Sequence, residues 1–162
     1  MESRRFVRDG LLEFSTSCMN SSQVQDQSPR VDPQERISRY LLRERWFDAK
    51  ANVVFAQAFN PPKSTLKYPI RQTSVYRTQE MAESEIWQVG DEFVTKLHPE
   101  HRPVLGRADI SAREVLVADL RIVQIPDPHP RHADIEGWPS EDEQVEMKLA
   151  YLSSKARLVV RS

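Results

Sequence analysis

Apolar and polar residues alternate over residues 36–42 (RISRYLL), placing Ile37, Arg39 and Leu41 on one side and Ser38, Tyr40 and Leu42 on the other. A period of two predicts a strand. Residues 51–59 (ANVVFAQAF) are rich in Val and Phe and stop at Asn60-Pro61-Pro62, a strong breaker. The stretch through Lys67 reads as a loop, and β-branched and aromatic residues at 73–77 (TSVYR) predict a second strand. Ala82, Ile86 and Val89 fall at i, i+4 and i+7 and predict a helix from about Gln79 to Val89. Thr78 is placed to cap it, and Gly90 suits a left-handed residue after its end. Residues 91–97 fit a helical turn or a strand, the helical reading being preferred.

Residues 107–110 (RADI) predict a strand. Ser111 and Glu114 then match a capping box at the start of a short helix to Ala118. Residues 120–125 (LRIVQI) predict another strand, and three prolines make 126–130 (PDPHP) an irregular connection. Residues 132–136 (HADIE) alternate again and end at the turn Gly137-Trp138-Pro139. Ser140 and Glu143 match a second capping box. The helix after it carries acids early, Lys148 and Lys155 late, and a stripe of Val145, Leu149, Leu152 and Ala156. Leu158-Val159-Val160 predicts an edge strand. Strands and helices mix without a repeated strand–helix–strand unit, so the expected fold is α+β: a single small domain with a mixed or antiparallel sheet and about three helices.

The leading segment changes that picture only at one end. Within residues 15–34 the apolar residues are Cys18, Met19, Val24 and Val31, too few to offset the entropy of ordering. The expected organisation is a disordered leader, 1–34, followed by a globular domain, 35–162. Asp9 and Glu13 interrupt the apolar stretch that a secretory signal would need.

Composition removes function classes. The 162 residues carry 23 Lys and Arg against 24 Asp and Glu, so no whole-protein field draws in nucleic acid or an anionic membrane. The single cysteine, Cys18, excludes an intrachain disulfide framework and a zinc site built from several thiolates. Four scattered glycines supply neither a dinucleotide fingerprint nor a phosphate-cradling loop. No apolar run approaches the roughly 20 residues that cross a bilayer. No G-x-S-x-G elbow is present.

Three constellations could carry chemistry. The first is the pair of repeats His98-Pro99-Glu100-His101 and His129-Pro130-Arg131-His132, whose imidazoles could bind a divalent metal such as zinc. The alternative is exposed loop histidines around turn-forming prolines, with no cofactor. In the second, an extended 132–136 segment would project His132, Asp134 and Glu136 on one face, with Ala133 and Ile135 towards the core. An imidazole beside two carboxylates suits general acid/base catalysis or a mixed metal site. A half-buried strand, however, ordinarily turns its polar residues to water. The third is the basic stretch Arg36, Arg39, Arg43, Arg45 and Lys50 beside Tyr40, Trp46 and Phe47, where a solvated face with snorkelling arginines is expected over nucleic-acid binding. Trp87 and Trp138 are expected in packing, and Arg77 is expected to meet a carboxylate such as Glu83 or Glu85, or an anionic ligand.

Ser74-Val75-Tyr76-Arg77 with Glu85-Ile86-Trp87, then Arg107-Ala108-Asp109-Ile110, then residues 128–135 with Gly137-Trp138-Pro139 form a combination of motifs. Together they resemble a family of small bacterial proteins without an established activity, over about residues 36–162. The resemblance implies a bacterial cytosolic protein and carries over no functional residue. The expected function is therefore a non-enzymatic, cytoplasmic binding or accessory protein with a protein partner. The alternative is a small metal-dependent or acid/base hydrolase using His132, Asp134 and Glu136, with His129 and Asp109 nearby.

Overall fold

The computed structural model of the chain describes residues 30–67 and 69–162. Most of the predicted leader, Cys18 included, lies outside the described residues. Pro33 already accepts a backbone bond from Arg113, and Glu35 N–H closes a turn onto the Asp32 carbonyl.

Six strands form one antiparallel sheet: β1 (Arg36–Leu41), β4 (Thr73–Arg77), β5 (Gly106–Ser111), β6 (Arg121–Gln124), β7 (His132–Glu136) and β8 (Arg157–Val160). Their order is β6-β7-β4-β1-β5-β8, so the first strand lies inside the sheet and β6 and β8 are its edges. The short strands β2 (Phe47–Asp48) and β3 (Val53–Val54) pair separately as a hairpin. Three α-helices, α1 (Glu83–Val89), α2 (Ala112–Val117) and α3 (Asp142–Lys155), complete an α+β fold. Among the described residues, no helix is long and apolar enough to cross a membrane.

The sheet divides two cores. On one face Ile37, Leu41, Val75 and Ile135 pack with Leu149 and Leu152 of α3. Each such side chain, fully buried, contributes about 1.5–3 kcal/mol. On the other face Tyr40 and Tyr76 meet Ile86, Val89 and Val104. Because both faces are covered, β7 is buried at all five positions, not at alternate ones. The expectation that its polar side would face water fails for that reason.

Other local expectations give way to tertiary contacts. Residues 51–59 form only the two residues of β3, then a 3₁₀ turn, Ala56–Phe59. Helix α1 starts after Ala82, and Thr78 instead spends its hydroxyl on Arg36 and Ser38. Gly90 is right-handed (φ −57°) and the chain continues into a π-helical segment, Gly90–Thr95. What demands glycine there is space: a Cβ would lie 2.9 Å from Tyr40 Cε1 and 3.1 Å from Val104 Cγ2. Neither expected serine cap forms, since Ser111 makes no side-chain cap bond and α3 starts after Glu141. Glu114 is instead the acceptor for the Tyr151 hydroxyl.

Candidate functional site

Residues directly opposite in paired strands present their side chains to the same face. Ser74 lies opposite Asp134, and Tyr76 lies opposite His132. Tyr76 also faces Ser38 across β1, and Ser38 and Tyr40 face Asp109 and Arg107 of β5. One sheet face therefore carries two polar groups, divided by the edge-to-face pair Tyr40–Tyr76 with ring centroids 5.4 Å apart.

The first group contains the predicted site residues. His132, Asp134 and Glu136 project together from β7, with exposures of 9%, 2% and 8%. His132 Nδ1 lies 2.9 Å from the Ile125 carbonyl. A carbonyl only accepts, so the proton of the neutral ring sits on Nδ1 and Nε2 is left as an acceptor. Ser74 Oγ, 2.8 Å from Nε2, then donates to it. Asp134 Oδ1 is 3.6 Å from the same nitrogen. Ile125 also donates its own N–H to the His132 carbonyl, so both backbone groups of that residue hold the histidine in place. Burial pushes the Asp134 carboxyl above its ordinary range; His132 and Arg39 oppose the shift and Glu136 adds to it. Glu136 meets Arg121, itself largely exposed, at 3.1 Å.

The second group is a closed chain of donors and acceptors. Arg36 donates to Thr78, and Ser38 donates to Asp109 at 2.6 Å, which leaves Thr78 as the donor in the 2.7 Å Thr78–Ser38 bond. Arg107, 1% exposed, donates to Asp109 at 3.0 Å and grips Glu83 with two bonds of 2.6 and 2.9 Å. Its guanidinium also lies over Trp87, 4.8 Å from the ring centre. Arg157 reaches the second Asp109 oxygen at 3.3 Å. The hydrogen bond from Arg107 holds the Glu83 carboxyl below its ordinary range.

Several expected associations are thereby corrected. Asp109 is not near His132: β4 and β1 lie between their strands. Arg77 pairs with Glu35 at 2.9 Å and donates to Gln124, not to Glu83 or Glu85. The basic stretch is solvated in part: Arg45 and Lys50 are exposed, whereas Arg39 donates to the carbonyls of Ala58 and Ser74 and lies over Trp46. Burial lowers its guanidinium to about 10. His129 is half-buried against Phe93, with ring centroids 4.8 Å apart, and its Nδ1 accepts the Arg131 N–H. Among the described residues, no group of three or more His, Cys, Asp and Glu is arranged to hold a metal ion, and both nitrogens of His132 are engaged.

Ser74 is the member that residue patterns did not pick out. Its link to His132 spans strands far apart in sequence, and the only local sign is the polar position in the alternation of β4.

A separate feature lies at the β8 edge. A shallow, widely open depression of about 520 Å³ lies where the β2–β3 hairpin approaches β8, lined by Phe47, Phe55, Leu105 and Val160 together with Glu44, Asp48 and Lys50. Val53, Phe55 and Val160 remain 43%, 40% and 43% exposed. Arg161 N–H bonds the Leu105 carbonyl, and the register pairs Gly106 with Val160. The alternation of an antiparallel ladder then turns the N–H and C=O of Leu158 and Val160 away from β5, towards the outer side of the sheet.

Comparison of the chain with family models, with curated proteins and with solved structures finds no match.

Proposed function

We propose that the protein is a binding domain that takes up an extended polypeptide segment of a partner protein along β8. The observation that carries this reading is the coincidence of a sheet-edge strand, with backbone groups turned away from its one ladder partner, and a shallow apolar depression beside it. Outward backbone groups give an added strand its affinity, and pockets for alternate side chains give it selectivity. The occupant is an extended segment with an apolar side chain at alternate positions, one of which fills the space between Phe47, Phe55 and Val160. A cytoplasmic partner fits a chain with one cysteine. The acid/base reading of the three acidic and imidazole side chains of β7 as a site of their own has less support, because His132, Asp134 and Glu136 are all packed inside.

Selection from a displayed library of random linear peptides tests the proposal. Enriched peptides should alternate apolar residues, slow amide exchange at Leu158 and Val160, and lose at least tenfold in affinity (about 1.4 kcal/mol) for Val160→Asp. Peptides that bind that variant equally well, or a selection that enriches none, would refute it.

A further inference from the structure

We infer that Ser74 is an activated nucleophile, with His132 as its general base, able to accept an acyl group from a small carboxylic ester. This inference does not depend on docking at β8. Its first support is the bond direction: Nδ1–H of His132 is committed to the Ile125 carbonyl, so Nε2 presents its lone pair to the Ser74 hydroxyl 2.8 Å away. Its second is access. Ser74 is half-buried while His132, Asp134 and Glu136 are buried, so Ser74 is the least buried member of this group. Its third is compensation. When Nε2 takes up the serine proton the ring becomes cationic, and Asp134 Oδ1, 3.6 Å from that nitrogen, stabilises the charge in a desolvated setting. Asp134 acts through the imidazole and is a positioning residue. The Arg39 guanidinium holds the Ser74 carbonyl at 2.9 Å and fixes the backbone beneath the nucleophile.

The reaction runs in two stages. Ser74 Oγ adds to the ester carbonyl carbon as its proton passes to Nε2. The carbon–oxygen bond to the alcohol then breaks as His132 returns that proton to the departing oxygen. A water molecule, giving its proton to the same nitrogen, adds to the acyl-serine, and expulsion of Ser74 Oγ with that proton releases the carboxylic acid.

An alkyl fluorophosphonate is the probe, since attack by an activated serine forms an Oγ–P bond and releases fluoride. The folded full chain is treated with it and read by intact mass and peptide mapping. The expected result is one adduct, on Ser74, formed about 100-fold or more slowly in His132→Gln, in line with the contribution of a general base. The Ser74→Ala variant should form none. Because His132 is buried and its replacement could unfold the chain, the wild type is also labelled in denaturing urea, where the Ser74 adduct should form far more slowly. A folded wild type without a Ser74 adduct, a rate in urea equal to the native rate, or an undiminished rate in a folded His132→Gln protein would each overturn the inference.

Discussion

The two polar groups on one sheet face are built from similar residues and differ in how their charges are answered. Around Asp109, each carboxylate oxygen meets a guanidinium, from Arg107 or Arg157, and Ser38 adds a hydrogen bond. Around Asp134, the one ion-pair contact among the described residues is an imidazole 3.6 Å away, and Arg39 attracts the carboxylate without a direct bond. Desolvation costs an unmet charge several kcal/mol, so a compensated network behaves as a fixture and an uncompensated acid as a strain on the fold. Groups with raised carboxyls can gather where chemistry is done, and the group with the less compensated acid is also the one that contains a serine–histidine bond.

Breaking the compensated group should have the largest effect. Arg107→Ala leaves Asp109 buried without its closest cation, and urea denaturation should show a loss of about 3–5 kcal/mol. A loss under 1 kcal/mol would mean that Arg157 alone suffices. The uncompensated group should respond in the opposite sense: Asp134→Asn should raise stability at neutral pH by about 1 kcal/mol. Its carboxyl is held above the unfolded value by burial, so the folded chain keeps that proton to higher pH than the unfolded chain does. The acid is stability-neutral below the unfolded value and destabilises progressively as pH rises through the folded one. The advantage of the Asn variant should therefore shrink as pH falls into the ordinary carboxylate range, and a pH-independent gain would contradict the assignment. Least affected should be Arg121→Ala, which removes an exposed partner of Glu136; a change of at most about 0.5 kcal/mol is expected in the same denaturation measurement. A larger loss would show that Glu136 depends on it.

Much of this architecture is legible in linear patterns. Alternation marked β1 and β7, β-branched and aromatic residues marked β4, and the Val145, Leu149 and Leu152 stripe marked α3, whose three residues are buried. The faces were harder to read. Alternation on β7 suggested one wet side, yet α1 and the π-helical segment build a second core on the sheet, which no local period encodes. Capping motifs failed at Ser111 and Ser140 because a pattern of residue types does not fix which partner a side chain finds: Glu114 goes to Tyr151. Gly90 followed the rule for helix ends in position only; its small size serves Tyr40. The candidate site was half visible. His132, Asp134 and Glu136 share a strand and could be grouped by period, whereas Ser74 joins them through register with β4, a pairing that no spacing reveals.

The placement of β1 inside the sheet, with β4 on one side and β5 on the other, has a consequence for how the protein is made. During synthesis at about 5–20 residues per second, β1 emerges several seconds before β5 exists to cover its second edge. For that interval a strand bearing Ile37, Tyr40 and Leu41 has an unclaimed border, and a crowded nascent chain is open to the wrong neighbour. Slowing translation between the two strands lengthens that exposure, and a chaperone that shields extended apolar segments shortens it.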